Sequence, residues 1–192
     1  MTQRTRLTPA ERRAQLLDLG VRLFARRDLG EITIELLAEH AGISRGLLYH
    51  YFGSLTGFQE AVAQRAADDL VARTAPPEGD DPVGRLLASL EAYVDYVDTH
   101  YEGYVSLLRV AKSGDARMRA IYDEARRAMG VRFAAEAPEL VPDTPAALML
   151  VNGWQALAED VVLAWKADPV LTREELLRVL AATFPAVLTA LA

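Results

Sequence analysis

The sequence predicts an all-α fold of about nine helices, divided into a small N-terminal head and a larger C-terminal helical body. Apolar residues recur at the three- and four-residue spacing of amphipathic helices, and no segment shows the alternation of a half-buried strand. Capping residues, glycines and prolines separate these segments. With 192 residues, of which 51% are hydrophobic, the chain can bury a core without disulfides or metals.

Three helices are predicted in the head, which covers residues 1–54. Each begins after a hydroxyl side chain that can cap its first turn, namely Thr8 (followed by Pro9), Thr33 and Ser44. Each ends at residues that tolerate a turn, namely Asp28 to Gly30, Gly42 and Gly53. The predicted helices therefore cover about 10–27, 34–41 and 45–52, and a linking helix follows over about 55–75.

The body is predicted over residues 76–192. It begins with the linker PPEGDDP at 76–82, in which three prolines accompany three acidic residues. Further helices are predicted over about 83–100, 102–112, 116–137, 145–167 and 172–191. Thr144-Pro145 and the capping box of Thr172 with Glu175 mark the last two starts, and Pro185 is predicted to kink or break the final helix.

Charge is distributed unevenly along the chain, whose net charge is −6. Residues 1–54 carry eight arginines against six acidic residues, a balance of +2, and the remaining 138 residues carry −8. Chance clustering of arginine would give the same asymmetry. The head is nevertheless the part of the chain better suited to a polyanionic partner.

The residue types present exclude several classes of chemistry. There is no cysteine, which excludes structural disulfides, thiolate metal sites, iron–sulfur clusters and a cysteine nucleophile. The serines lie outside any Gly-x-Ser-x-Gly motif, the three histidines are scattered, and no glycine-rich phosphate loop occurs. We therefore expect no enzyme, cofactor or metal site. The basic N-terminus lacks a following apolar run, so a cytoplasmic protein without membrane association is expected.

Residues 34–53 have the pattern of a helix-turn-helix. Apolar or small residues stand where two such helices meet, at Leu37, Ala38, Ala41, Ile43, Leu48 and Tyr51. Gly42 occupies the turn, which needs a left-handed backbone. The second helix then presents Arg45, Gly46, Leu47, Tyr49 and His50 outward. A DNA major groove, about 12 Å wide, admits such a helix, although a simple pair of packed helices has the same pattern.

The segment Leu48-Tyr49-His50-Tyr51-Phe52-Gly53-Ser54 resembles, nearly residue for residue, the end of the recognition helix in the TetR/AcrR family of transcriptional regulators. The similarity covers about residues 10–65. The resemblance implies a ligand-responsive repressor that binds a palindromic DNA operator as a homodimer, with a C-terminal ligand-binding and dimerisation bundle. Two positions depart from the family pattern. Leu55 stands where a phosphate-binding lysine is usual, and Asp28 stands where glycine usually follows the first helix.

The resemblance also implies roles for residues of the head. Thr33, Ser44 and Tyr49 would bind phosphate oxygens, Arg45 and Leu47 would contact bases, and His50 would do either. Gly46 lies on the same face. Tyr49 could instead pack, and His50 could be merely solvated. Arg4 and Arg6 could enter a minor groove or form a solvated tail.

Two sets of body residues are candidates for binding. A dimer interface is predicted at Ala156, Val161, Ala164, Leu176, Leu180 and Phe184, on helices that are apolar around most of their circumference. The alternative is that these residues form a monomer core. A pocket for a small, apolar or aromatic effector is predicted at Tyr93, Tyr96, Tyr104, Arg109, Tyr122, Arg126 and Trp154.

The alternative to a transcriptional repressor is a helical ligand- or partner-binding protein with a degenerate DNA-binding head.

Overall fold

The structure, a computed structural model, describes residues 7–79 and 81–189. Within these ranges the regular structure is helical throughout, and the predicted all-α fold class is confirmed. The elements are α1 (Pro9–Phe24), a 3-10 turn (Leu29–Glu31), α2 (Ile34–Ala41), α3 (Arg45–Phe52), α4 (Leu55–Arg73), α5 (Pro82–Thr99), α6 (Tyr101–Lys112), α7 (Ala116–Glu136), α8 (Pro145–Ala167) and α9 (Arg173–Thr189).

The first helix ends earlier than predicted. α1 stops at Phe24, and Asp28 instead caps the 3-10 turn, which the sequence did not predict. The backbone of Asp28 is extended, with φ −62° and ψ 146°, so this position needs no left-handed conformation. Aspartate can therefore stand where the family usually has glycine.

The last helix continues past its proline. α9 runs from Arg173 to Thr189 with Pro185 inside it, so a break at Pro185 is not observed. Pro185 is exposed, and its carbonyl oxygen accepts a hydrogen bond from the Thr189 hydroxyl at 2.8 Å. Because proline has no N–H, the carbonyl oxygen that loses its helical donor is that of Ala181, one turn earlier in α9.

The chain packs as two compact units, each built from two segments. Within the described ranges, unit 1 consists of residues 7–67 and 100–121, and unit 2 consists of residues 68–79, 81–99 and 122–189. These parts of unit 1 have 11 Lys and Arg residues against 9 Asp and Glu, a balance of +2, whereas those of unit 2 have 8 against 17, a balance of −9. The asymmetry in charge along the sequence is therefore also an asymmetry between the packing units. The predicted domain boundary at 76–82 remains a prediction.

In unit 1, the buried residues Leu16, Phe24, Leu37, Leu48 and Phe58 lie in the core. Two glycines allow close helix contacts there. A Cβ on Gly20 of α1 would lie 2.5 Å from Val62 Cγ2 of α4, and a Cβ on Gly103 of α6 would collide with the Phe24 carbonyl oxygen. A side chain at Gly20 would require the packed Val62 and Phe58 side chains to shift, and one at Gly103 would require the backbone at Phe24 to move.

In unit 2, α5, α8 and α9 pack against one another. Their aromatic centre is Phe184 of α9, whose ring meets those of Trp154 and Phe133 edge to face at centroid distances of 4.8 and 5.3 Å. Among the described residues, α8 is the one helix long and apolar enough to be considered as a membrane span. It packs against α5 and α9 within unit 2.

Candidate nucleic-acid interface

The turn between α2 and α3 fixes the angle of the second helix. Gly42 ends α2 with φ 63°, the left-handed conformation that the sequence predicted. The Ile43 N–H donates to the Ala38 carbonyl oxygen at 3.1 Å, which closes the turn. Leu37 and Leu48 are almost fully buried, so each helix is held by its own apolar side chain.

The outer face of α3 is open to solvent. Arg45, Gly46, Tyr49 and His50 are exposed, and Leu47 is half-buried. Half of the Tyr49 surface is accessible, a large aromatic exposure that core packing does not explain. An exposed helical face with a cation, a glycine, an aromatic hydroxyl and an imidazole has the dimensions and chemistry that a major groove accepts.

The cation of this face is paired with α2. Arg45 Nη1 lies 3.0 Å from Glu35 Oε1, and the two side chains are 66% and 59% exposed. An exposed ion pair of this kind contributes about 0–1 kcal/mol. Arg45 can therefore leave Glu35 at little cost when another acceptor approaches.

Hydroxyl groups lie at the N-termini of both helices. Thr33 Oγ1 accepts a hydrogen bond from the Leu36 N–H at 3.2 Å, and Ser44 Oγ accepts one from the Leu47 N–H at 3.3 Å. Both residues are exposed. Because each oxygen acts as acceptor to the helix, its O–H remains able to donate to an anion, and the positive end of the helix dipole favours that anion.

α4 begins beside this surface with an uncharged residue. Leu55 is half-buried, and the Ser54 hydroxyl oxygen accepts the Gly57 N–H at 2.9 Å. A Cβ on Gly57 would lie 2.5 Å from the Phe52 carbonyl oxygen, so glycine permits the tight connection from α3 to α4. The proposed contacts of Arg4 and Arg6 lie outside the described residues.

The predicted effector residues fall in different packing units. Tyr104 is buried in unit 1, where Arg109 pairs with Asp28 through an Nη1–Oδ2 distance of 2.5 Å. The other five predicted residues lie in unit 2. Tyr96 is buried there, and burial raises the pKa of its phenol. Tyr93 is half-buried, and the Trp154 indole N–H donates to Thr183 Oγ1 at 3.1 Å.

Tyr122 and Arg126 are brought together with a residue that is absent from the predicted effector set. The Tyr122 hydroxyl donates to Glu159 Oε1 at 2.8 Å and accepts from Arg126 Nη1 at 3.0 Å. Arg126 Nη2 also donates to the Asn152 carbonyl oxygen at 2.5 Å. Burial, reinforced by the neighbouring Glu159 carboxylate, raises the pKa of the Tyr122 phenol. Glu159 itself is buried on α8, and the network joins α7 to α8 within unit 2.

The predicted dimer residues divide between the protomer's own core and its surface. Leu176, Leu180 and Phe184 are fully buried inside the protomer, so their assignment to a dimer interface is wrong. Ala164 is exposed, and Ala156 and Val161 are half-buried. Among the apolar residues that α8 and α9 expose are Met149, Gly153, Leu157, Ala164, Val179, Ala182 and Ala186. When a helix is apolar around most of its circumference, its sequence alone does not show which side packs against the core of the same protomer.

Comparison with known proteins identifies both parts of the chain. Residues 16–62 match the family model "Bacterial regulatory proteins, tetR family", and residues 82–187 match "Tetracyclin repressor-like, C-terminal domain".

Three similar proteins extend that finding. The HTH-type transcriptional activator FasR of Mycolicibacterium smegmatis is 36% identical over 101 residues, which are 52% of this chain and 46%, or about half, of FasR. The HTH-type transcriptional regulator BetI of Burkholderia ambifaria (strain MC40-6) is 30% identical over 174 residues, 86% of this chain and 88% of BetI. The crystal structure of a tetR-family transcriptional regulator from Streptomyces coelicolor has a TM-score of 0.85 at 35% identity, covering 96% of this chain and 83% of that one. The chain therefore belongs to the TetR family of transcriptional regulators.

Proposed function

We propose that this regulator is a repressor that binds a palindromic operator as a homodimer and releases it when a small effector binds. The observation that carries the proposal is the outer face of α3, where Arg45, Gly46, Tyr49 and His50 are exposed while Leu48 anchors the helix in the core. This arrangement separates the residues that contact DNA from those that hold the helix.

The proposed contacts follow from the chemistry of each group. The forked guanidinium of Arg45 can donate two hydrogen bonds to a guanine edge after leaving Glu35. The hydroxyls of Thr33 and Ser44, at helix N-termini, would donate hydrogen bonds to phosphate oxygens. The exposed side chains of Tyr49 and His50 would contact a phosphate or a base edge. Phosphate contacts set affinity and orientation, and base contacts set specificity.

A second copy of the chain is the proposed partner of the exposed faces of α8 and α9. Met149, Leu157 and Val179 are large apolar residues with 66%, 46% and 47% of their surfaces exposed. Small residues alternate with them, at Gly153, Ala164, Ala182 and Ala186, and would let two pairs of helices approach closely. On a palindromic operator, each copy would supply one α3 helix to one half-site, and the half-sites of such operators lie one DNA turn apart, about 34–36 Å.

The proposed effector site lies in unit 2 around Tyr122, Arg126 and Trp154. These residues combine aromatic surface with a hydrogen-bonded polar group, as a small apolar or aromatic ligand with one polar end requires. If effector binding weakens operator binding, the operator must weaken effector binding by the same factor. Tyr104 and Arg109 are not included, because they belong to unit 1.

Repression needs only occupancy of promoter DNA, which the proposed dimer can provide by itself. We place this activity in the cytoplasm, where the DNA of a bacterial regulator lies. The test is binding of the purified full chain to its own upstream intergenic DNA and to unrelated DNA, at two salt concentrations. We expect about a thousandfold preference for the upstream fragment, and affinities for both that fall steeply as salt rises.

Arg45→Ala and Glu35→Gln form a matched pair for this test. Arg45→Ala should weaken binding to the upstream fragment by about 1–3 kcal/mol and leave unfolding nearly unchanged, because its ion pair is exposed. Glu35→Gln breaks the same pair but frees Arg45, so binding should be unchanged or stronger. Equal, weak binding of the wild type to both DNAs would instead favour the alternative of a ligand- or partner-binding protein with a degenerate head. If the protein activated transcription from the upstream fragment in a transcription assay, the proposal that it is a repressor would be wrong.

A further inference from the structure

The 3-10 turn that leads into α2 is tied to α6 by three hydrogen bonds within unit 1. Asp28 Oδ1 accepts from Ser106 Oγ at 3.0 Å, and Asp28 Oδ2 accepts from Arg109 Nη1 at 2.5 Å. Ser106 Oγ in turn accepts the Leu29 N–H at 2.9 Å. Asp28 Oδ1 also accepts the Gly30 N–H at 3.1 Å, so one carboxylate caps the turn and attaches it to α6.

The turn is held from a second helix as well. Gln59 Nε2 of α4 donates to the Leu29 carbonyl oxygen at 3.0 Å. On α6, Gly103 lies one turn before Ser106, and a Cβ there would collide with the Phe24 carbonyl oxygen at the end of α1. The backbone of α6 is thus in direct contact with the chain segment that enters the turn.

Ser106 is a polar residue in a place where an apolar one would pack. Only 1% of its surface is exposed, and its hydroxyl donates to Asp28 and accepts from Leu29. A buried hydroxyl is costly unless it is hydrogen-bonded, and this one satisfies two groups of the turn. Packing of α6 alone would not need it.

The turn lies immediately before the DNA-binding surface. Glu31, its last residue, is followed by the fully buried Ile32 and then by Thr33, which caps α2. Because Gly42 joins α2 to α3 in a closed turn, a displacement of Leu29 to Glu31 would be expected to displace Thr33 and the outer face of α3 as well.

We propose that Asp28 and Ser106 are positioning residues of the DNA-binding surface, which hold the 3-10 turn, and through it Thr33, α2 and α3, in the arrangement that binds the operator. Neither residue needs to touch DNA. The inference rests on the operator binding proposed above and adds the contacts that set its geometry.

The experiment compares Asp28→Ala and Ser106→Ala with Asp18→Ala in the full chain. Asp18 pairs with Arg65 at 3.3 Å across α1 and α4, in the same unit but away from the turn, so its variant has the same charge change as Asp28→Ala. Removing a negative charge from the DNA-binding unit favours DNA electrostatically. A loss of operator affinity in Asp28→Ala would therefore oppose the electrostatic effect and would report on geometry.

We expect both turn variants to lower the ratio of upstream-fragment to unrelated-DNA affinity by about tenfold or more, and Asp18→Ala to leave it unchanged. Affinity of Asp28→Ala for unrelated DNA should be equal or higher. Thermal unfolding shows that each variant is folded at the assay temperature. Hydrogen exchange should become faster at Leu29, Gly30 and Ile34–Ala41 in both turn variants but not in Asp18→Ala.

Two results overturn the inference: an unchanged affinity ratio in both turn variants, or unchanged exchange through α2. A wild type that does not distinguish its upstream fragment from unrelated DNA contradicts the proposed function instead. In that case hydrogen exchange alone tests the inference. Faster exchange through Ile34–Ala41 in Asp28→Ala and Ser106→Ala would support the positioning role of the two residues, and unchanged exchange would reject it.

Discussion

Gly46 is the residue of α3 whose presence the protein's own packing does not explain. A Cβ there would have one neighbour, Ser44 Oγ at 3.9 Å, and the backbone is helical. Glycine inside a helix costs about 0.5–1 kcal/mol relative to alanine. An exposed glycine at this position is consistent with a partner that approaches the helix closely.

Gly46→Ala should therefore raise stability and lower DNA affinity. We expect the free energy of unfolding in urea to rise by about 0.5–1 kcal/mol, because a helix former replaces glycine without a clash. Binding to the upstream fragment should weaken by about tenfold, because a methyl group separates the helix from the groove. Gly20→Ala is the control, since its Cβ would meet Val62 at 2.5 Å and should destabilise the protein. Unchanged DNA binding by Gly46→Ala would remove Gly46 from the interface.

Tyr122 gives a second test at the residue scale. Its pKa is raised by burial and by Glu159, so the neutral phenol, which donates to Glu159, is the form that the fold stabilises. The neutral phenol therefore contributes to the free energy of unfolding. This contribution is fully present at pH values below the phenol pKa in the unfolded chain, about 10, and is lost as pH rises through the higher phenol pKa in the folded chain.

Tyr122→Phe should lower the free energy of unfolding by about 1–3 kcal/mol at neutral pH, because a buried carboxylate loses one donor. The difference between wild type and variant should narrow above about pH 10. Urea unfolding at several pH values measures both effects. Tyr49→Phe makes the same chemical change at an exposed site and should leave stability unchanged. If the difference in free energy of unfolding between wild type and Tyr122→Phe did not change with pH, ionisation of Tyr122 would not be coupled to folding.

At the scale of elements, the sequence predicted best where caps and glycines act locally. α2, α3 and α8 begin at the residues after Thr33, Ser44 and Thr144, and each of these side chains accepts a hydrogen bond from its helix. The capping box of Thr172 with Glu175 is also present. Local patterns fix such starts because the donor and acceptor are three residues apart.

Contacts between distant residues were not predictable from spacing. Asp28 and Ser106 are separated by 78 positions, and the pairing of Glu35 with Arg45 has no signal in the sequence. The buried stripe of α9 was assigned to the wrong surface, because Leu176, Leu180 and Phe184 are as apolar as the exposed Val179. Which side of a helix is buried depends on the elements that pack against it, and the periodicity of apolar residues does not identify those elements.

Leu55 at the start of α4 gives a test at this scale. Leu55→Lys should strengthen binding to both the upstream fragment and unrelated DNA, because a cation beside α3 can bind a further phosphate. The slope of log affinity against log salt should become steeper by about one for each additional phosphate that the protein neutralises. Leu55→Gln, which removes the apolar side chain without adding charge, is the control. Equal effects of the two variants would rule out a phosphate at this position.

For the whole molecule, charge and apolar surface are separated between the two units. Among the described residues, unit 1 carries +2 and includes the proposed DNA-binding surface, whereas unit 2 carries −9 and exposes the apolar faces of α8 and α9. An acidic unit 2 disfavours adsorption to DNA through its own surface. Charge repulsion between two copies of unit 2 would oppose the proposed dimer, so that dimer would depend on apolar contact.

Leu157→Glu and Leu180→Ala should separate dimerisation from folding. Leu157 is exposed on α8, so Leu157→Glu should give a folded monomer in sedimentation, with weaker operator binding. Leu180 is fully buried, so Leu180→Ala should lower the free energy of unfolding by about 2–5 kcal/mol without placing a charge on the proposed dimer face. A wild type that sediments as a monomer at micromolar concentration would exclude the proposed dimer.

The division of α3 into a buried anchor and an open face bears on how regulators of this kind diversify. Leu48 holds the helix, whereas Arg45, Tyr49 and His50 make few demands on the rest of the fold. Substitutions at the open positions can therefore accumulate after gene duplication without loss of folding. If the open face contacts the operator as proposed, each copy would thereby acquire its own target sequence. Cross-talk between such copies would decline through a handful of surface exchanges, while the interior of unit 1 stayed the same.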